Sequence, residues 1–369
     1  MAAATRTDDD DPQPFAVLPA AAAPTGLSPA RPPVPLVSLV FPIFNEELVI
    51  PLLMERLEAV IAGLAAEGVR VEGVFVDDGS RDRSLELLAG CAASRPWMRV
   101  VSFSRNFGHQ IAATAGLEHA AGDAVVLLDA DLQDPPELLP EMLRLWRTGY
   151  DVVYAVRTER AGETWFKRTT AAGFYRLLRR LTNVDIPADT GDFRLMDRMV
   201  VNSLNAMPEH HRFLRGMGAW VGFRQVGIPY RRDARAAGET HYPLRKMLRL
   251  AMDAVCAFSY APLKLATNLG WCIAGLSILY GLATVVRYLA SAGRFEPGWA
   301  SIIVVLSLLS GVQLITLGLL GEYVGRIYDE VKGRPLYLVA RRIGFPTAEP
   351  QGAPSAPAPW SERGAPGVV

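Results

Sequence analysis

Residues Leu127 to Leu139 read L-L-D-A-D-L-Q-D-P-P-E-L-L and close an apolar stretch that begins at Ala124. A short apolar run rich in Val and Leu, ended by acids and prolines, has the form of a buried strand that opens into a loop. In extended chain, residues i and i+2 point the same way, so Asp129 and Asp131 face one ligand while Ala130 packs behind them. Two carboxylates on one side of a strand end can hold a divalent cation whose shell is completed by substrate phosphates, the usual arrangement for Mg²⁺. A lone D-x-D also suits a solvated turn. Asp134 and Glu137 have another explanation, since D-P-P-E puts a capping acid before prolines of a first helical turn, with Glu137 three residues on as its capping-box partner.

Upstream, the same strand-then-helix pattern repeats. V-S-L-V-F-P-I-F precedes a helical pattern over Glu46–Ala66, V-E-G-V-F-V one over Ser84–Ala93, M-R-V-V-S-F one over Gln110–Ala121, and A-V-V-L-L one over Glu137–Trp146; D-V-V-Y-A-V then follows. This alternation predicts an α/β domain with a mostly parallel sheet covered on both faces. Ligands of such sheets sit beyond the carboxyl ends of the strands. There the chain places N-E-E, D-D-G-S, S-R-N and D-A-D in turn. No G-x-G-x-x-G follows the first strand and no G-x-x-x-x-G-K-[ST] occurs, which counts against a dinucleotide oxidoreductase and a P-loop NTPase. A cation would have to neutralise bound phosphates instead.

The chain has 369 residues, half of them hydrophobic, and its 38 basic and 38 acidic side chains balance, so net charge offers no affinity for nucleic acid. Cys91, Cys256 and Cys272 lack metal or disulfide spacing and read as reduced thiols. Residues 1–35, with the acidic run Asp8–Asp11 among Ala and Pro, are expected to form a disordered tail with no cleaved signal peptide, as is the Pro/Ala/Gly-rich end after about residue 346.

Leu265–Val286 and Ala300–Leu320 carry no charged residue. About 21 residues at 1.5 Å each match the roughly 30 Å of a bilayer's hydrocarbon core, so spans are expected near 265–287 and 299–321 within a hairpin over 264–325. Two buried helices of a soluble core are the alternative. Arg245, Lys246, Arg249 and Lys264 before the first span, and Arg326, Lys332, Arg334, Arg341 and Arg342 after the second, put both ends on the cytoplasmic side of a cell membrane. Between a soluble domain over 36–242 and the hairpin, residues 243–263 place Leu244, Met247, Leu248, Ala251, Val255 and Phe258 at helical spacing, with Arg245, Arg249 and Asp253 on another face. This fits an interfacial helix, with one packed on the soluble domain or a neighbouring subunit as the alternative. Residues 326–369 form the cytoplasmic end.

In order, V-F-P-I-F-N-E-E, V-D-D-G-S-R-D-R-S, S-R-N-F-G-H-Q, L-D-A-D-L-Q-D-P-P-E, G-D-F-R-L-M-D-R, R-F-L-R-G and G-E-T-H-Y-P-L-R-K-M resemble the membrane-bound family 2 glycosyltransferases that load sugars onto polyprenyl phosphate. The resemblance covers nearly everything between the tails and implies a GT-A fold with a Rossmann-like sheet. It also implies a nucleotide-sugar donor, a polyprenyl phosphate acceptor, Mg²⁺ or Mn²⁺ as cofactor, a bilayer around the hairpin, and room for a homo-oligomer.

By the same resemblance, Pro42, Phe44, Glu46, Asp77, Asp78, Asp129 and Gln133 contact the nucleotide sugar, and Asp129, Asp131 and Gln133 hold the metal. For Asp77 and Asp78, strand-end capping and turn formation remain a second reading, because D-D-G-S also makes a good turn. Asp131, Asp192 and Arg194 take part in the transfer, with Asp192 as a base or an organiser of the acceptor and Asp189 as its runner-up. Arg157, Arg168, Arg194 and His241 are implied at the acceptor phosphate. His241 is a departure, since relatives often carry Lys or Gly there. Arg160 and Lys167 fit either the acceptor or a basic face near anionic lipid, and Arg105 and Asn106 either the site or its turns. Two rivals stand beside this reading. A processive polysaccharide synthase would be expected to show Q-x-x-R-W and more spans, and a noncatalytic sugar-nucleotide sensor or scaffold would turn nothing over.

Overall fold

The computed structural model describes residues 31–157, 190–230, 261–290 and 298–346. The chain runs through β1 (Leu36–Ile43), α1 (Ile50–Ala66), β2 (Arg70–Asp77), α2 (Ser84–Ser94), β3 (Met98–Phe103), α3 (His109–His119), β4 (Ala124–Leu127), α4 (Leu139–Arg147) and β5 (Val152–Arg157). It continues through β6 (Thr190–Asp197), α5 (Arg198–Asn205), α6 (Leu214–Trp220), β7 (Gln225–Tyr230), α7 (Ala261–Ala290), α8 (Trp299–Lys332) and β8 (Val339–Ile343). The strands form one sheet in the order β7-β5-β6-β4-β1-β2-β3-β8.

β1 lies between β2 and β4 and is parallel to both, and β3 continues the parallel set. Covered on both faces, these strands need apolar residues without interruption, which is why they read as continuous runs. One face packs Leu39, Phe41, Phe75 and Trp146, with Phe41 stacked on Phe75 at 4.9 Å. On the other, Val40, Val74 and Val76 meet Ala112, Ala113 and Leu117 of α3. Helix and strand approach closely at Gly116, where a Cβ would stand 2.1 Å from a Val40 methyl. The mostly parallel α/β architecture expected from the sequence is therefore present.

Three strands escaped the sequence reading. β6 runs antiparallel between β4 and β5, β7 parallel to β5, and β8 antiparallel along β3. β6 is T-G-D-F-R-L-M-D and β8 is V-A-R-R-I, so charged side chains break the apolar runs that marked the others. β8 shows that the sheet takes its last strand from beyond α8. Nearby, Tyr337 stacks on Phe103 with ring centroids 4.8 Å apart, and its hydroxyl donates to Glu118.

The expected capping box is not formed. Asp134 is buried and accepts from the Tyr230 hydroxyl, while Glu137 pairs with Arg56 through hydrogen bonds of 3.0 and 2.6 Å. The short 3-10 turn Pro136–Leu138 has no side-chain cap. Packing of β7 against the loop supplied a donor that local sequence does not show. N-terminal to β1, Arg31 is ion-paired with Asp151 and Asp197 and lies 4.9 Å over the Trp146 ring.

α7 and α8 are long and apolar enough to cross a membrane, and their apolar windows are unburied in the protein. Leu276 is 67% exposed and Ile315 75% exposed, so neither is buried in a core of this chain. α8 runs past the expected end of its span and stops at Gly333, whose φ of 56° is the left-handed conformation that glycine adopts without a Cβ penalty. Most of the expected interfacial segment lies outside the described residues.

Candidate active site

The carboxyl ends of β1, β2, β3 and β4 meet on one edge of the sheet. After β1, Pro42 is buried within the strand and Phe44 is 42% exposed. The loop that follows is laced to the one after β2. Asn45 N–H donates to Ser80 Oγ at 3.1 Å, Glu46 N–H to Ser84 Oγ at 2.8 Å, and Arg81 N–H to Asn45 Oδ1 at 2.8 Å. Gly79, at φ 66°, leaves room for the next loop, because a Cβ there would stand 2.5 Å from the Arg105 carbonyl carbon.

Asp77 and Asp78 were expected to face a base or ribose, and the structure gives their oxygens other partners. Asp77 accepts from Ser80 N–H at 3.1 Å and Ser102 Oγ at 2.8 Å. Asp78 accepts from Phe107 N–H at 2.6 Å and Gly108 N–H at 2.9 Å. Burial pushes the Asp78 carboxyl up, and the two amides pull the other way. Both acids are buried and shape the loops around the pocket.

The D-A-D segment is arranged differently. Asp131 accepts from Gln133 N–H at 3.1 Å in a local turn, and Leu132 takes φ 59°, an uncommon conformation for a branched residue. Asp129 Oδ1 is buried without a hydrogen-bond partner. His109, the first residue of α3, places Nε2 3.6 Å from that oxygen and 3.3 Å from Asp192 Oδ2. Asp192, on β6, also accepts from Arg215 Nε at 2.8 Å and Gln110 Nε2 at 3.3 Å.

Electrostatics follow from this crowding. Burial first, then the charges of Asp192, Asp134 and Asp131, push Asp129 up to about 6 against the pull of His109. Against its own burial, His109 is raised to about 8 by its hydrogen bond to Asp192 and by the charge of Asp129. Burial would raise Asp192 too, yet Arg215 and His109 hold it well below the usual carboxylate range. An orphaned buried carboxylate oxygen among further acids is a site that a hard cation relieves, so the donors fit Mg²⁺ or Mn²⁺. Among the described residues, His109, Asp129 and Asp192 bring ligand atoms within 4.8 Å of one another.

Arg194, expected at an acceptor phosphate, is buried. It donates to Gly191 C=O at 3.1 Å and Leu214 C=O at 3.5 Å, and burial draws its guanidinium down to about 10. It braces the start of α6 from below, and Gly218 gives it room, since a Cβ there would lie 2.6 Å from Nη1. Arg157 passes over Gly191, next to Asp192, and donates to the Tyr230 hydroxyl at 3.3 Å. Arg168, His241, Asp189, Arg160 and Lys167 lie outside the described residues. Sequence reasoning missed His109, Gln110 and Arg215. The strand-end rule that singled out Asp129 also covers G-H-Q after β3, whereas Arg215 stands in R-F-L-R-G, a motif that carried the resemblance without being given a role.

The Glycosyl transferase family 2 pattern matches residues 38–204, and the GtrB C-terminal hairpin matches residues 261–327. An uncharacterized glycosyltransferase of Bacillus subtilis, YkcC, is 51% identical over 308 residues, covering 84% of this chain and 94% of that protein. The chain belongs to glycosyl transferase family 2. This family 2 glycosyltransferase is also 40% identical to the SfII prophage-derived bactoprenol glucosyl transferase of Shigella flexneri, over 83% of its own length and 97% of the relative's. It is 39% identical to the prophage bactoprenol glucosyl transferase homolog of Escherichia coli, over 83% and 98% respectively. The family resemblance drawn from the motifs is thereby borne out.

Proposed function

We propose that this family 2 glycosyltransferase moves a sugar from a nucleotide-sugar donor to polyprenyl phosphate, giving a lipid-linked monosaccharide at the cytoplasmic face of a membrane. The observation that carries the reading is the joining of a family 2 domain and a GtrB C-terminal hairpin in one chain that aligns over 97% of the length of a relative named a bactoprenol glucosyl transferase. Two exposed apolar helices support the membrane part, and the flanking cations support cytoplasmic ends. A homo-oligomer remains compatible with this reading.

In the reaction, an acceptor phosphate oxygen bonds to the anomeric carbon as that carbon's bond to the diphosphate oxygen breaks, and the nucleoside diphosphate leaves. A phosphate monoester has a second pKa near 6, so the acceptor is already largely a dianion and no proton has to be removed. Asp192, kept ionised by Arg215, acts in this reading as a fixed charge that orients its neighbours. Asp129, with Asp131, Gln133, His109 and Asp192 around it, would hold Mg²⁺ or Mn²⁺, which when bound neutralises charge on the diphosphate leaving group. Phe44 offers an exposed ring for a base to lie against, with Pro42 and Glu46 shaping its loop. Arg157, Arg168 and His241 form the acceptor side, and Arg194 supports the floor beneath it.

The test is transfer to undecaprenyl phosphate in vesicles with a panel of UDP- and GDP-sugars, with Mg²⁺, with Mn²⁺ and with EDTA. Metal-dependent formation of one lipid-linked sugar is expected. Turnover with free sugar acceptors alone would point to another acceptor class, and donor binding without any turnover would support the noncatalytic scaffold.

A further inference from the structure

We infer that Arg215 is a positioning residue for the transfer, fixing the place of the Asp192 carboxylate; the inference rests on Asp192 belonging to the active site as proposed above. Arg215 belongs to R-F-L-R-G, a segment remote in sequence from every strand end that builds the pocket. Its Nε lies 2.8 Å from Asp192 Oδ1, while Gln110 and His109 approach Oδ2, each at 3.3 Å. One carboxylate is therefore gripped from two sides, by the start of α6 and by the start of α3.

The grip is built rather than incidental, because the segment bearing Arg215 is anchored at successive points. Leu214 N–H donates to Gln110 Oε1 at 3.0 Å, so the same glutamine ties down both the backbone of α6 and Asp192. Arg212 is buried and donates to Met207 C=O at 3.0 Å and to Leu204 C=O. Beneath, the buried Arg194 reaches Leu214 C=O at 3.5 Å, and Gly218 leaves the space for it. A guanidinium presented from a segment pinned in this way is pre-organised, and a planar fork loses little freedom on pairing.

The pairing has a chemical consequence. Without Arg215, Oδ1 of the buried Asp192 would lose its 2.8 Å partner and the carboxylate would be held only through the 3.3 Å contacts at Oδ2, so its position would drift. With Arg215 it is a stationary anion beside His109 and the open oxygen of Asp129. Arg215 itself needs to touch neither donor nor acceptor. Its effect should appear in turnover, since misplacement of a group by about 1 Å can cost roughly 100-fold in rate.

The experiment uses the full-length protein in vesicles, with whichever donor supports transfer, and compares Arg215→Met, Arg215→Lys, Asp192→Asn and the double variant Asp192→Asn with Arg215→Met. Expected for Arg215→Met is a fall in kcat of about 10- to 100-fold with the donor KM within about twofold. Arg215→Lys, which keeps the charge but not the fork, should recover part of the loss, and the double variant should be no slower than Asp192→Asn alone. Donor KM serves as the check that each variant is folded. Unchanged kcat in Arg215→Met, or additive losses in the double variant, would overturn the inference while leaving Asp192 in place. Wild-type turnover in Asp192→Asn would instead remove the reading of Asp192 on which the inference stands.

Discussion

Two acid pairs stand on either side of β1, Asp77–Asp78 at the end of β2 and Asp129–Asp131 after β4, and they have come to opposite ends. The first pair is consumed by the fold, with Asp78 accepting two backbone N–H groups and Asp77 accepting an N–H and a serine hydroxyl. The second leaves a buried oxygen of Asp129 open, in a cluster of further acids and one histidine. A carboxylate supplied with donors holds loops, whereas one denied them is held for a ligand.

The sharpest break would come from Asp129→Asn and Asp131→Asn. Either change is expected to lower transfer by about 1,000-fold with little change in the thermal midpoint, since the metal-facing charge goes while an asparagine oxygen can still accept, as Asp131 does from Gln133 N–H. Wild-type activity in both would dissolve the contrast. Direct titration with Mn²⁺ comes next: binding is expected in the wild type and in Asp78→Asn but not in Asp129→Asn, and equal binding by all three would place the cation elsewhere. Asp78→Asn is expected to act on stability, costing about 1–3 kcal/mol, because one amide oxygen cannot replace two carboxylate oxygens opposite Phe107 and Gly108. Loss of activity with stability intact would move Asp78 to the ligand-facing group.

The smallest effect tests a third acid on the consumed side, Glu330 near the end of α8, which accepts from His210 N–H at 2.8 Å and stands 2.9 Å from its Nδ1. Its hydrogen bond to Glu330 raises the His210 pKa. A raised histidine stabilises fully below its unfolded value, near 6.5, and loses that contribution as pH rises through the folded value. The pair should therefore be tightest in mildly acidic solution and loosen on the alkaline side, by roughly 0.5 kcal/mol for so exposed a contact. Hydrogen exchange at residues 208–214 across pH would read it, and Glu330→Gln should flatten the profile. An unchanged profile would mean that this acid is not held by its partner.

Much of this was legible beforehand. Buried parallel strands need unbroken apolar runs, so β1 to β5 were visible, and with them the strand ends where ligands gather. The uncharged stretches that became α7 and α8 were equally plain. β6 was hidden because Asp192, Arg194 and Asp197 interrupt its apolar residues, and those charges also take partners distant along the chain, Arg215 for Asp192, Leu214 C=O for Arg194 and Trp146 for Asp197. β8 was hidden for a related reason, since V-A-R-R-I becomes a strand where the open edge of β3 receives it. The helix-initiation reading of Asp134 failed because its real partner, Tyr230, arrives on β7.

By itself, then, the sequence determined the alternating α/β unit, the order of polar clusters at its strand ends, the membrane-length helices and the family. Those features rest on local periodicity, hydrophobicity and motif order, which are properties of neighbouring residues. Only the tertiary structure decided which acids are occupied and which is open, that His109 and Arg215 flank Asp192, and that the sheet is finished by a strand from beyond the hairpin. Whether a carboxylate has a donor depends on groups from remote segments brought within about 3 Å, and no local pattern encodes that distance.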